Sequence, residues 1–487
     1  MDERASDFAR QPRALVVAAA GCGKTELLAK AVAACGSERQ LVLTHTHAGV
    51  RVLRERLREL GVASQACRVE TIDGFALRYA AGFPGVSQNR TPEPTAGCGW
   101  RQVRECCRRA FENRHVQHVF TRSYGGVFVD EYQDCTASQH KLLLRLAQLR
   151  PCRVVGDPLQ GIFGFDRDDP LPDWPTEVTP EFKLLPALTE PHRWNREGTN
   201  RELGKWLTKV REVLQSGTGQ VTLGNGAPVR WEQHSEPQTQ AQVRSCFEAH
   251  RSCGPDRVVA VHNLAPQAHY LAKRLNGSYQ SMEEVESKDL MKYCRRLEQA
   301  SAMKRAACVV SAAAECIVSL PPQLRSISTA LRQGRLPKKG KAVSECPELL
   351  VALNEVAQGT GFSKAAVCLD LIAQMPGVVL YRREPFRDLL KSCRLHDPAA
   401  GESLSKTAWR VRNSARRFGR CLPRRLVSRT LLVKGLEFDH AIVLDADGIE
   451  DAKNLYVALT RASKTLTVVS STAALSATGT PAPRDNA

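Results

Sequence analysis

Short, continuous apolar runs alternate with longer amphipathic stretches over the first 170 residues of the chain. Leu15-Val16-Val17-Ala18 reads as a buried strand, and Lys24 to Ala34 as the helix after it. Leu41-Val42-Leu43 predicts a second strand, followed by an amphipathic helix over Val50 to Leu60. Val127-Phe128-Val129 predicts a third strand and Val154-Val155 a fourth. Strands that are apolar on both faces, rather than alternating, belong in a parallel sheet covered by helices.

A second strand–helix series opens at Val258-Val259-Ala260-Val261 and continues into the helical pattern Ala268 to Leu275. It breaks off there. From Ser287 to Val427 the pattern is helical and Arg-rich, with a basic Gly/Pro interruption at Gly334 to Lys341. Strand signals resume at Ala441-Ile442-Val443-Leu444 and Leu466-Thr467-Val468-Val469. The pattern therefore predicts a first α/β unit over 1–195, with a short insertion at about 80–123. It places the start of a second α/β unit at 196–286, a basic helical insertion at 287–427, the remainder of the second unit at 428–470, and a disordered Ala/Thr/Pro-rich tail at 471–487.

Composition narrows the class. The 487 residues carry 69 Lys+Arg against 51 Asp+Glu, a formal charge of +18 that favours a polyanionic partner, nucleic acid before membrane. None of the 17 cysteines forms a C-x-x-C pair, which argues against zinc ribbons and iron–sulfur runs. Cys98, Cys106 and Cys107, with His115 and His118 beyond, read as buried thiols before a metal site. The opening Met1-Asp2-Glu3-Arg4 is polar, and the longest apolar run, Ala307 to Leu320, is too short to span a bilayer and contains Glu315. A cytoplasmic protein with reduced thiols and no membrane partner is expected.

Two motifs carry candidate chemistry. Ala20-Gly21-Cys22-Gly23-Lys24-Thr25-Glu26 joins the first strand to its helix, the context of a phosphate-binding loop. Glycines let backbone N–H groups approach phosphates, Lys24 reaches the β- and γ-phosphates, and the Thr25 hydroxyl ligates Mg²⁺. The strict pattern has Gly where this chain has Ala18. The second motif, Asp130-Glu131, follows the strand Val127-Phe128-Val129 and so sits at the mouth of the sheet. Asp130 would hold Mg²⁺, and Glu131 would position or deprotonate the attacking water. A nucleoside triphosphate and Mg²⁺ are the expected cofactors, and the family resemblance that follows implies ATP.

Asp130-Glu131-Tyr132-Gln133-Asp134 also resembles motif II of UvrD/Rep-like superfamily 1 DNA helicases. The rest of the set follows in order. Leu43-Thr44-His45-Thr46-His47 is similar to motif Ia, Thr71-Ile72-Asp73-Gly74-Phe75-Ala76 to Ib, and Val155-Gly156-Asp157-Pro158-Leu159-Gln160-Gly161-Ile162-Phe163 to III. Leu188 to Trp194 is similar to IV, Lys434-Gly435-Leu436-Glu437-Phe438-Asp439 to V, and Tyr456-Val457-Ala458-Leu459-Thr460-Arg461-Ala462 to VI. The resemblance implies an α/β fold of two RecA-like P-loop NTPase domains with helical insertions. It implies that Gln160 senses the γ-phosphate, that Arg193 and Arg461 act as arginine fingers, that Glu437 touches the ribose, and that His192 takes the adenine-stacking position. The family reads adenine with a Gln placed farther upstream than Gln11, which here precedes Lys24 by thirteen residues.

The same resemblance implies a single-stranded-DNA-stimulated ATPase moving 3′ to 5′, a helicase or translocase in repair or recombination. Thr44, His45, Phe163 and Phe165 are the expected base-side contacts. Ten basic residues and no acidic one lie between Glu402 and Glu437, and Arg416 and Arg417 stand for that block as expected phosphate contacts. Phe165 is followed by Asp166 where the family has Arg, and Leu431 stands where motif V carries His. Expected partners are single-stranded DNA or a tailed duplex, with a repair protein or nuclease beside it. Two other readings remain: the ATPase subunit of a bacterial antiphage system of the Gabija type, and a nucleotide-switched nucleic-acid-binding scaffold that unwinds nothing.

Overall fold

The computed structural model describes residues 2–88, 99–164, 166–217, 219–224, 226–234, 238–284, 287–359, 361–418 and 422–476. Phe165, Cys98 and the chain from residue 477 lie outside the described residues, as do the side chains of Arg416 and Arg417. Contacts divide the chain into two units, 1–228 with 449–464 and 474–487, and 229–448 with 465–473.

The first unit is built on a six-stranded parallel sheet. Its strands are β1 (Arg13–Ala18), β2 (Gln40–Thr44), β3 (Cys67–Thr71), β4 (Gly126–Val129), β5 (Cys152–Gly156) and β6 (Lys183–Leu188), in the order β3-β2-β4-β5-β1-β6. β5 therefore lies between β1 and β4, pairing Val17 with Gly156 on one side and Val129 with Val154 on the other. Leu15, Val16, Leu41, Val42, Val127, Phe128, Val154 and Val155 are buried, because helices cover both faces of the sheet. The segment between β3 and β4 holds the helices Trp100–Ala110 and Arg114–Ser123, with Phe111 and Phe120 packed on Phe75. Phe75, in the stretch similar to motif Ib, is thus core.

The first unit extends beyond residue 195. Helix Arg201–Ser216 buries Leu203, Leu207, Val210 and Leu214, and it packs against the helices His192–Asn195 and Ala452–Leu459. An amphipathic stripe of that width must be covered by something apolar, and here the cover is the first unit. The expected boundary at 196 therefore moves to 228, and 449–464, expected in the second unit, belongs with the first. β7 (Val221–Thr222) ends this stretch.

The second unit carries its own parallel sheet of β8 (Arg230–Gln233), β9 (Val258–His262), β10 (Gln280–Ser281), β11 (Arg425–Arg429), β12 (Phe438–Val443) and β13 (Ala462–Ser470), ordered β10-β11-β9-β12-β13-β8. The two parallel α/β sheets give the two RecA-like units expected from the resemblance. β14 (Ala474–Leu475) then pairs antiparallel with β7 and buries Leu475, so the expected tail cannot begin at 471. Between β10 and β11 the helices Lys288–Gln299 to Leu404–Phe418 enclose a separate apolar core that includes Leu297, Val310, Leu353, Leu369 and Phe386. The helical insertion ends before Arg425, where β11 begins, slightly earlier than the expected 427. No helix among the described residues is long and apolar enough to cross a membrane.

One buried arginine ties this insertion down. Arg382 donates to both oxygens of Glu283 at 2.7 and 2.6 Å and to Asp289 at 2.6 Å. Removing one partner of a buried ion pair leaves an uncompensated charge. Arg382→Ala is expected to cost about 3–5 kcal/mol in urea unfolding, whereas loss of the exposed Arg230–Glu248 pair should cost less than about 1 kcal/mol.

Candidate functional site

The carboxyl ends of β1, β4 and β5 define the site. Beyond β1 the chain turns through Gly21 (φ +72°) and Gly23 (φ +85°) before Lys24 opens the helix Lys24–Ala33. A β-carbon on Gly21 would come within 2.7 Å of the Trp194 ring and 2.8 Å of the Arg193 Cβ, so glycine is required there by both conformation and space. Ala18 departs from the strict motif without strain, because it is the last residue of β1 in extended conformation. The Lys24 ammonium is buried, donating to the carbonyls of Ala18 and Ala19 at 3.0 and 3.3 Å. Burial lifts the Cys22 thiol to about 11, which keeps it protonated.

The loop meets the acid pair directly. Thr25 Oγ1 donates to Asp130 Oδ2 at 3.0 Å. Burial holds the Asp130 carboxyl well above the usual carboxylate range. Glu131 pushes it further in the same direction, and the Thr25 hydroxyl and Lys24 oppose them. A buried carboxylate beside a hydroxyl is a hard oxygen donor set that suits Mg²⁺. Glu131 adopts a left-handed backbone (φ +56°), and its carboxylate accepts from the Gln133 side-chain amide.

Between these groups stands Asp157, at the end of β5 and with no exposed surface. Its carboxylate accepts two bonds from Arg211 at 2.7 and 2.8 Å, one from Gln160 Nε2 at 2.6 Å and one from the Leu159 N–H at 3.2 Å. Its backbone N–H donates to Gln133 Oε1 at 2.9 Å. The Arg211 guanidinium lies 5.4 Å from the centroid of the Tyr456 ring, and the Tyr456 hydroxyl accepts from the Ala20 N–H at 3.2 Å.

The residues from the other motif-like stretches of this unit converge on the same loop. The Arg193 N–H donates to the Gly21 carbonyl at 3.1 Å and its guanidinium to the Thr460 carbonyl at 2.8 Å. Trp194, fully buried, donates from its indole to the Ala462 carbonyl at 2.8 Å. His192 packs beside Gly23 and faces Glu190. Arg461 is 1% exposed and folds onto its own segment, bonding the Val457 carbonyl and the Thr460 hydroxyl. Glu26 contributes its place in the first helical turn, while its carboxylate turns to Arg56 and Lys30. Glu437, half-buried, belongs to the second unit at the turn before β12.

Two of the expected contacts, Gln11 and Thr44, fall elsewhere. Gln11 caps the helix Glu3–Arg10 at the opposite end of β1, and its amide bonds Lys183. Six strand residues at about 3.3 Å each place it on the order of 20 Å from the loop, too far to read a base there. Thr44 is the buried last residue of β2, its hydroxyl held beneath Gly49, so it presents nothing to a DNA strand. His45 is half-buried with Nε2 at 3.5 Å from the Cys135 thiol. Phe163 is half-buried, and Phe165 lies outside the described residues.

Three residues of the basic block serve the fold itself, and two more pair at the surface. Arg412 is buried on Asp388 and the Glu284 carbonyl, Arg425 holds the carbonyls of His250 and Gly254, and Arg429 pairs with Glu284. Lys406 and Arg410 both reach Glu402.

Cys106 and Cys107 are buried thiols raised by desolvation. Among the described residues the one gathering of metal-ligand types is His234, Asp445 and Asp447, where His234 Nε2 and the Ser471 N–H satisfy Asp447 Oδ2 at 3.2 and 2.5 Å.

The residues that organise the site but carry no expected role are Gln133, Asp157, Trp194, Arg211 and Tyr456. Four of them lie inside motif-like stretches, so their place was marked and only their chemistry was missing. Arg211 has no local mark: it is one polar position on an amphipathic helix.

With this geometry in place, residues 2–166 match the family model of an AAA domain, a P-loop ATPase domain found in UvrD/Rep-like helicases. None of the curated proteins matches the chain. Residues 2–166, within the first unit, are therefore similar to a P-loop nucleotide-binding domain of the ATPase type.

The Gly21 contact gives a direct test. Gly21→Ala should weaken binding of a fluorescent ATP analogue at least about tenfold, because a β-carbon must displace Trp194 or Arg193. Gly82→Ala meets no atom within 4 Å and should leave the affinity unchanged.

Proposed function

We propose that the protein hydrolyses ATP in response to single-stranded DNA and uses the energy to move 3′ to 5′ along it, as a helicase or translocase acting in DNA repair or recombination. The observation that carries the ATPase part is the 3.0 Å contact from Thr25 to Asp130, with Glu131 adjacent. It joins a phosphate loop to an acid pair through two oxygens that would be part of the octahedral shell of Mg²⁺.

Each residue then has a task. The loop N–H groups and Lys24 bind the phosphates of ATP. Thr25 and Asp130 would hold Mg²⁺, which supplies charge neutralisation on the phosphate oxygens. Glu131 orients the attacking water and takes its proton, with Gln133 fixing its carboxylate. Arg193, anchored to Gly21, stands ready to stabilise charge on the transferring phosphoryl group, and Arg461 is assigned the same task from the segment that carries Tyr456. Gln160 senses the γ-phosphate. His192 stacks on the base and Glu437 engages the ribose. The DNA part of the reading rests on the resemblance and on the +18 charge. His45, Phe163, Phe165, Arg416 and Arg417 are its remaining contacts.

Glu131→Gln should lower the turnover of ATP by at least about a hundredfold while leaving nucleotide affinity within about threefold. Phosphate release should rise when an oligothymidylate is added, and a 3′-tailed duplex should be unwound. Turnover retained in Glu131→Gln would refute the assigned base. A rate indifferent to DNA would refute the motor.

A further inference from the structure

Two arms of the candidate site meet at one buried ion pair. Asp157 has no exposed surface and the Arg211 side chain is 11% exposed. The guanidinium answers the carboxylate in a fork, with both bonds under 2.9 Å. This fixes more than a charge. Both Asp157 oxygens accept from Arg211, so Gln160 presents Nε2 to the carboxylate, which directs the Gln160 carbonyl away. The Asp157 backbone N–H fixes the second amide: Gln133 must present Oε1 to it, which turns Nε2 toward Glu131. On the other side Arg211 faces the Tyr456 ring, whose hydroxyl accepts from Ala20 in the phosphate loop. Burial and Asp157 raise the Tyr456 phenol to about 12.

We propose that Arg211 is a positioning residue of the nucleotide site, setting the amide orientation of Gln160 through Asp157, steadying Gln133 beneath Glu131, and backing the phosphate loop through Tyr456. The inference rests on the reading of this loop as a nucleotide site. It goes beyond that reading in naming a side chain from the helix Arg201–Ser216, outside every motif-like stretch, as the group that sets the geometry.

The experiment is amide hydrogen exchange on the full chain without nucleotide, paired with steady-state ATP turnover. Arg211→Gln removes the charge, Arg211→Lys keeps it without the fork, and Tyr456→Phe removes one hydroxyl. Arg211→Gln should raise exchange at least about tenfold in peptides covering 18–25 and 157–161, while β1 and β9 keep their protection. Arg211→Lys should give a smaller rise in the same peptides, and Tyr456→Phe a rise in 18–25 alone. If Arg211→Gln does not fold, the other two variants decide the matter. Turnover by the Arg211 variants should fall about tenfold with affinity for a fluorescent ATP analogue changed less than about threefold. Unchanged exchange, a rise spread evenly over the first unit, or a loss confined to affinity would each overturn the proposal. A wild-type chain that does not turn over ATP would refute the functional reading, and the exchange pattern would still decide the role of Arg211.

Discussion

A parallel sheet in which β5 runs between β1 and β4 obliges whatever follows β5 to stand between whatever follows its neighbours. In this chain the neighbours lead to the phosphate loop and the acid pair, and the residue between them is Asp157. A carboxylate there has no access to water and must be answered from within the protein. Arg211 supplies the charge and Gln160 and the Leu159 N–H supply further donors. Around that constraint the site is assembled. The same Asp157 sets Gln133 against Glu131, and the same Arg211 lies against Tyr456 on the loop side.

The loop is held from the other direction by the segment Pro191 to Trp194. Gly21 gives its carbonyl to Arg193 and yields the space of a side chain to Trp194. Arg193 and Trp194 in turn bond the carbonyls of Thr460 and Ala462. Residues far apart in the chain thus hold one turn of backbone by main-chain contacts, which depend on position more than on side-chain identity. The segment 449–464 belongs to the first unit for this reason, although its strand continuation β13 enters the sheet of the second.

What the sequence made legible follows the physics of burial. Continuous apolar runs marked β1, β2, β4, β5, β9 and β12, since strands buried on both faces leave no polar positions to confuse the pattern. β3 alternates as Cys67-Arg68-Val69-Glu70-Thr71, β6 is an edge strand with Pro186 inside it, and β8 carries Arg230, Glu232 and Gln233. β3 and β8 offer no apolar run, and the proline breaks the strand signal of β6. The phosphate loop and the acid pair were legible because their residue types and order are dictated by chemistry at a strand end. The distance of Gln11 from the loop follows from the predicted strand Leu15–Ala18 that runs between them, and the base-reading role came from the resemblance alone. Arg211 was invisible, because its partner Asp157 lies 54 residues away.

The charge of the chain also reads differently once folded. Ten basic residues without an acid between them suggested a track for a polyanion. Arg412, Arg425 and Arg429 hold the insertion and β11 in place, and Lys406 and Arg410 share Glu402 at the edge of the run. The proposed function stands on phosphate binding at the turn after β1. Equilibrium titration of the full chain and its Lys24→Ala variant with a fluorescent ATP analogue and Mg²⁺ tests it most directly. Saturable binding by the wild type is expected, with at least about a tenfold weaker affinity in the variant. Equal affinity in the two proteins would contradict it.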